Sequence, residues 1–379
     1  MRTSLPFILF FHILGCSDPA GRSNNINDNI NNINNVNNLN NQSDAGQDIP
    51  DVDLVEDAAD DTGDGSVEPV PCTVDDTLAN VPPFSYPPEE DWNHSIISAT
   101  TAASGSPGHM MHDEMVPENT PVIVTAKFDY NSALHKDLQD EWILVYLWGT
   151  GRSDWELLGR YLTDTDGKIQ IQVGGLGAGT YMLRGVVAGD LTEAVGYVTV
   201  IGTNRQAVVF DIDGTLTTSD AEVMQDWAGF TTAEMYPYAD LVVQYYVDHG
   251  FHVAMVTGRP YWLAVETRQW LADHSMPFHS IRFTSDNGTT VSGQETQAYK
   301  TGYLEGLIAT CGLDIVRAYG NSDTDVWAYD AVGVSKTQTF IIGDIAGMEQ
   351  TQPIVCEGCG YQSHYEDFLL SDTLTCLED

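Results

Sequence analysis

Four apolar residues, Ala207-Val208-Val209-Phe210, run straight into Asp211-Ile212-Asp213-Gly214-Thr215, and no other feature narrows the fold as much. A short apolar run without polar alternation marks a strand buried on both faces, and such strands occur in parallel sheets covered by helices. Two carboxylates just beyond the strand sit where doubly wound sheets bind ligands, and Gly214 lets the chain turn away sharply. The pattern recurs downstream. Phe251 to Val256 ends in Thr257-Gly258-Arg259-Pro260, and Ile315 to Tyr319 ends in Gly320-Asn321-Ser322-Asp323-Thr324-Asp325. Helical patterns fill 240–248, 261–274 and 326–332. Lys300 falls near the start of another, from Tyr299 to Leu307, and Thr339–Ile342 reads as a last strand. Alternating strands and helices predict an α/β domain over 204–345, a parallel sheet with right-handed crossovers.

Residues 78–203 read differently. Strand-like runs at 122–128, 142–148, 155–162, 168–173, 181–187 and 194–201 are separated by Gly/Asp turns, which predicts a β-sandwich domain. Asp166-Gly167 reads as a hairpin turn. His109, His112, Asp113 and Glu114 lie among prolines and read as surface-loop side chains rather than a metal cluster.

The N-terminal 77 residues read as export signal and tether. A charged start, the short apolar run Leu5 to Gly15 and a small residue before Cys16 make a secretory signal over 1–15. Ile13-Leu14-Gly15-Cys16 resembles a bacterial lipobox, which implies cleavage before Cys16, lipidation of its sulfur and anchoring to a bacterial membrane. Ser17 implies the outer membrane. Residues 24–41 hold 12 Asn in a three-residue repeat, and 44–76 hold 12 carboxylates with few large apolar side chains, so 16–77 is expected to be a disordered linker. The chain carries a formal charge of −40. Such acidity excludes non-specific nucleic-acid binding, which needs Lys and Arg to displace counterions.

The constellation Asp211/Asp213, Thr257, Lys300 and Asn321/Asp325 resembles the haloacid dehalogenase (HAD) phosphatase superfamily. The resemblance implies a HAD-like Rossmannoid sheet and a position-by-position set of roles. Asp211 is the nucleophile, forming an aspartyl-phosphate. Asp213 is general acid, then base. Thr257 bonds a phosphoryl oxygen, and Lys300 offsets charge. Asp211, the Asp213 carbonyl, Asn321 and Asp325 hold Mg²⁺. Gly214, Thr215, Gly258 and Arg259 line the phosphate site. More narrowly, Ala207 to Gly343 resembles the lipin-type catalytic domain. It looks closer still to the C-terminal region of membrane-associated phosphatidylinositol transfer proteins of the retinal-degeneration-B type. The residues carrying this are 256–260, 270–277, 318–321, 325–329 and 340–343. That family also has a β-rich segment before this domain. Its members generally lack a complete Asp pair and are thought to sense phosphatidate, whereas Asp211 and Asp213 are both present here, as in the lipins.

The spacings 215–256 and 257–300 leave no room for an ordinary cap domain. Capless members of the superfamily tend to take bulky or membrane-borne phosphates. The expected activity is therefore Mg²⁺-dependent hydrolysis of phosphatidate or another lipid phosphate by a monomer, with a small phosphomonoester as the lesser substrate. The alternative is a non-catalytic lipid-binding module. The body is acidic too, with 41 acidic against 13 basic residues after position 77, so the acyl anchor takes the place of a basic membrane-binding segment. In the tail, 346–379, Cys356 and Cys359 resemble half a zinc knuckle without a partner pair. Structural disulfides within the tail and to Cys72 are expected, with Cys311 a buried thiol.

Overall fold

The computed structural model describes residues 70–378, apart from 76, 132–135, 219–232, 285–292, 356–357 and 359. Cys16, the signal segment, most of the expected linker, Cys356 and Cys359 lie outside the described residues. So do the two stretches, 219–232 and 285–292, on which the absence of a cap would be judged.

Period-two burial builds the first domain. Its strands are β1 (Glu114–Pro117), β2 (Val122–Lys127), β3 (Trp142–Gly149), β4 (Glu156–Leu162), β5 (Lys168–Val173), β6 (Gly179–Val187) and β7 (Glu193–Ile201). In β5, Ile169, Ile171 and Val173 are buried while Gln170 and Gln172 are exposed, the alternation of a strand with one face on a core. One sheet runs β1-β7-β6-β3-β4, and the other pairs β5 and β2 with the short strand Met110–Met111. Val124, Phe128, Ile143, Val145, Ile171, Leu183 and Val198 meet between the sheets. The two sheets thus form a sandwich. The turn at Asp164–Gly167 is not a hairpin, because β4 pairs with β3 and β5 with β2. Asp164 accepts from the amides of Asp166 and Lys168, which fixes the bend, but turn chemistry does not say which strand comes next to pair.

The second domain holds a six-stranded parallel sheet. Its strands are β8 (Gln206–Phe210), β9 (His252–Val256), β10 (Ser280–Arg282), β11 (Asp314–Gly320), β12 (Thr339–Ile342) and β13 (Gln352–Ile354), in the spatial order β10-β9-β8-β11-β12-β13. Helices α1 (Ala239–Asp248), α2 (Ala264–Asp273), α3 (Gln294–Cys311) and α4 (Asp323–Ala331) cover it. Alternate residues of each strand enter opposite cores. Val208, Phe210, Val253 and Met255 pack with Val242, Tyr246 and Leu271 on one face. Ala207, Val209, Ala254 and Val256 pack with Leu304, Leu307 and Tyr329 on the other. The first strand is central and the order reverses between β8 and β11, the switch point at which such sheets open a crevice.

The tail is part of this domain. Sequence reasoning ends the domain at 345, but β13 adds a sixth strand along β12, and Tyr361, Leu369 and Cys376 enter the core. Cys376 is disulfide-bonded to Cys72, and Val70–Pro71 pairs antiparallel with Leu377–Glu378. Val70 to Cys72, inside the expected linker, are thus part of this structure. Cys311 is a buried thiol.

The segment around His109 and Asp113 is buried, not a surface loop. Asp113 accepts from Tyr197 N in the sandwich, and from Ile281 N and Arg268 in the α/β domain. Its partners come from distant chain, which local spacing cannot reveal. His109 accepts the Asp129 N–H at Nδ1, which leaves Nε2 to donate to Thr192 Oγ1. Burial pushes the His109 pKa down to about 4, against the pull of Asp129 and Asp190. A depressed histidine contributes stability that is complete above its unfolded value of 6.5 and is lost as pH falls towards 4. The loss is on the order of 3 kcal/mol. Urea unfolding of a His109→Gln variant should show a shallower decline from pH 6.5 to pH 4 than the parent chain. An unchanged slope would mean that His109 is not charged on unfolding.

Candidate active site

The strand ends and one helix bring the expected residues together. β8 delivers Asp211 and Asp213, β9 delivers Thr257 and Arg259, α3 delivers Lys300, and the β11–α4 junction delivers Asn321 and Asp325. The Asp211 amide still donates to Tyr319 O of β11 at 3.0 Å, so the nucleophile candidate sits on the last rung of the ladder. Gly214 then adopts φ +71°, a left-handed turn that a side chain resists. Its N–H is taken by Thr217 Oγ1.

Lys300 is the centre of the cluster. Its ammonium donates to Asp211 Oδ1 and to Asp325 Oδ1, each at 2.6 Å, and only 3% of its side chain is exposed. Burial pushes the Asp211 pKa up, and with the Asp325 and Asp213 charges this outweighs Lys300 and brings it to about 7. Burial alone would lower the Lys300 pKa, but the two carboxylates overcome it and hold it above its usual value. Asp325 spends Oδ2 on the amides of Asn321 and Ser322 and on the Ser322 hydroxyl. This is a capping box at the start of α4, and Ser322-x-x-Asp325 is the signal by which the sequence could have shown it.

Asp213 faces the other way. Arg259 Nε donates to both its oxygens at 3.0 and 3.1 Å, Nη2 to Oδ1 at 2.8 Å, and Thr257 Oγ1 to Oδ2 at 3.1 Å. Its side chain is 18% exposed against 5% for Asp211, so it lies nearer the mouth. Arg259 is held in turn by Thr267 Oγ1, which accepts from Nη1 at 2.9 Å. Of the residues expected at the phosphate, Thr215 is buried with its hydroxyl on Asp211 Oδ2, Arg259 lies on Asp213, and a Cβ at Gly258 would meet nothing within 4 Å. Thr267, Ser322 and Tyr361, whose hydroxyl donates to Thr215 O, support the site without having been singled out in the sequence. Tyr361 comes from the tail, and no local signal links it to Thr215.

Oxygen donors dominate, as a hard cation requires. Thr215 Oγ1 lies 3.0 Å from Asp211 Oδ2 and 3.4 Å from Asn321 Oδ1, so these two oxygens flank the Thr215 hydroxyl. Asp211 and Asn321 present oxygens of the kind Mg²⁺ takes, and the Asp213 carbonyl is the further donor that the resemblance implies. Among the described residues, no cluster of three His, Cys, Asp or Glu side chains forms a cation site, so such a site would depend on the amide and the carbonyl.

Residues 208–343 match the family model "PITM 1-3, LNS2 domain", and residues 107–200 match "PITM 1-3, beta-sandwich domain". Human membrane-associated phosphatidylinositol transfer protein 1 is 30% identical over 283 residues, covering 73% of this chain and 22% of the relative. Both domains have homologues in the membrane-associated phosphatidylinositol transfer proteins. The Drosophila melanogaster protein retinal degeneration B is 28% identical over 284 residues, covering 73% of this chain and 21% of the relative. The chain thus spans about a fifth of the length of these curated relatives. Among solved structures, the deoxy-D-mannose-octulosonate 8-phosphate phosphatase of Haemophilus influenzae aligns at 18% identity with a TM-score of 0.32, over 44% of this chain and 88% of that one. A score that low carries no weight.

Replacing Lys300 by Met leaves Asp211 and Asp325 buried without their counter-charge. Removal of one partner from a buried ion network costs about 3–5 kcal/mol. Denaturant unfolding should register that loss, and a change below 1 kcal/mol would mean that the carboxylates are not held as described.

Proposed function

We propose that this chain is a Mg²⁺-dependent phosphomonoesterase working through an aspartyl-phosphate at Asp211, with phosphatidate or a related lipid phosphate as substrate. The observation that carries this is the Lys300 bridge from Asp211 to Asp325 across two neighbouring strand ends, with Asp213 two residues on. An Asp211 oxygen forms a bond to phosphorus as the bond to the leaving oxygen breaks, and Asp213 supplies the proton to that oxygen. Asp213 then takes a proton from the water that displaces Asp211 from phosphorus, which frees inorganic phosphate. Lys300 offsets part of the burial that favours the protonated form of Asp211. Thr257 and Arg259 turn from Asp213 to the phosphoryl oxygens as substrate enters, which releases Asp213 for proton transfer. Bound Mg²⁺ offsets the negative charge between the carboxylate and the phosphate.

The lipid part of the proposal is supported by the relatives, which are named as membrane-associated transfer proteins for phosphatidylinositol. Anchoring through Cys16 on the exported face of a bacterial membrane would bring the acidic body to the lipid without a basic patch. One observation favours the non-catalytic reading. Both oxygens of Asp213 are occupied by Arg259, and a phosphate could take that guanidinium without any turnover.

Phosphate release by the 379-residue chain with Mg²⁺, from phosphatidate in mixed micelles beside a soluble phosphomonoester, decides between them. The enzyme reading expects release from phosphatidate, reduced on the order of 10³-fold or more in Asp211→Asn and Asp213→Asn. Release from the soluble ester alone discards the lipid and keeps the mechanism. Phosphatidate binding without release, unchanged in Asp213→Asn, establishes the binding module instead.

A further inference from the structure

The loop that carries Arg259 does not stand on the α/β domain alone. Two residues after Arg259, Tyr261 is buried, and its hydroxyl donates to Asp129 Oδ2 at 2.8 Å. Asp129 belongs to the sandwich and is itself fully buried. Its amide donates to His109 Nδ1, and its carbonyl accepts the Gly108 N–H. A Cβ at Gly108 would fall 2.5 Å from Asp129 Oδ1, so the carboxylate lies close against the Gly108 backbone. Lys127, also in the sandwich, holds its ammonium 5.6 Å from the centre of the Tyr261 ring and is tied to Asp137 and to the Asp166 carbonyl.

From the α/β side, the Arg259 carbonyl accepts from Thr284 N and Oγ1, and Leu263 N closes the turn on Pro260 O. The guanidinium is then spanned between Asp213 and Thr267. The sandwich also grips the helix that bears Thr267, because buried Asp113 pairs with the adjacent Arg268 at 2.7 Å. Two sandwich carboxylates thus fix the loop and helix from which Arg259 reaches the site.

We infer that Tyr261, docked on Asp129, is a positioning residue through which the β-sandwich sets the placement of Arg259 against Asp213. A hydrogen bond to a buried carboxylate is among the stronger neutral-to-charged contacts. Its loss should let the loop shift, and Arg259 should be the first functional group to feel it. The inference rests on the phosphatase reading only for its catalytic consequence. The placement of Arg259 can be read without any turnover.

The test uses the ¹⁵N-labelled chain without Mg²⁺ or substrate and follows the Arg259 Nε–H resonance, assigned by its loss in Arg259→Lys. In the parent chain this proton, held on Asp213, should exchange slowly with water. Tyr261→Phe should speed its exchange about tenfold or more. Thr199→Val, which removes a different bond between the domains, from Thr199 Oγ1 to His279 O, should leave it unchanged. In the phosphatase assay with a soluble ester, Tyr261→Phe should raise KM about tenfold with a smaller change in kcat, since it displaces a phosphate-holding group rather than the nucleophile. If Tyr261→Phe does not fold, Asp129→Asn is read in the same way. Exchange at the parent rate in the folded variant, or equal acceleration in Thr199→Val, would overturn the inference. Absence of turnover in the parent chain would count against the phosphatase reading and leave the exchange result standing.

Discussion

A buried ammonium between two buried carboxylates organises this molecule. Lys300 reaches from α3 to the ends of β8 and β11, and almost none of it touches water. Two carboxylates that close in a low-dielectric setting could not both stay ionised, because each would raise the pKa of the other. With Lys300 between them they can, and the strand ends can meet. Asp211 is nevertheless pushed up to about 7, so the balance is close. Any further positive charge beside Asp211 would tip it towards the carboxylate.

The rest of the chain keeps that crevice in shape. The capping box on α4 takes the second oxygen of Asp325, so only its Lys300-facing oxygen is left for the site. Tyr329 donates to Tyr319 O beneath it, in line with the rung that holds Asp211. The tail returns to the same place, where Tyr361 bonds the Thr215 carbonyl. The Cys72–Cys376 bridge then ties the end of the tail to the chain that precedes the sandwich. On the opposite side the sandwich supports the Arg259 loop through Asp129 and Asp113. The α/β domain is therefore braced by chain from both of its flanks.

Much of this was legible in the sequence, and the reasons are physical. β8, β9, β11 and β12 are apolar runs because parallel strands are buried on both faces. The side chains of Asp211, Asp213, Thr257, Asn321 and Asp325 follow such runs directly, so their meeting follows from the parallel order. Lys300 was harder to place, since it comes from within a helix, but its length lets it span the gap. The misses share a cause. β10 is three residues long, and β13 contains Pro353, which reads as a breaker yet is tolerated on an edge strand. Cys72 and Cys376 stand 304 residues apart. His109 and Asp113 look like loop residues until the distant amides that satisfy them are seen. The Arg259–Asp213 pair belongs here too, because a group expected at the phosphate and the expected general acid find each other first.

Chemical trapping of the covalent intermediate tests the central claim most directly. The chain would be mixed with Mg²⁺ and substrate, quenched, reduced with borohydride and mapped by mass spectrometry. A phosphorylated Asp211 would be reduced to homoserine at that position alone, and Asp213 would remain intact. Turnover with no reduction at 211, or reduction at another carboxylate, would contradict the account.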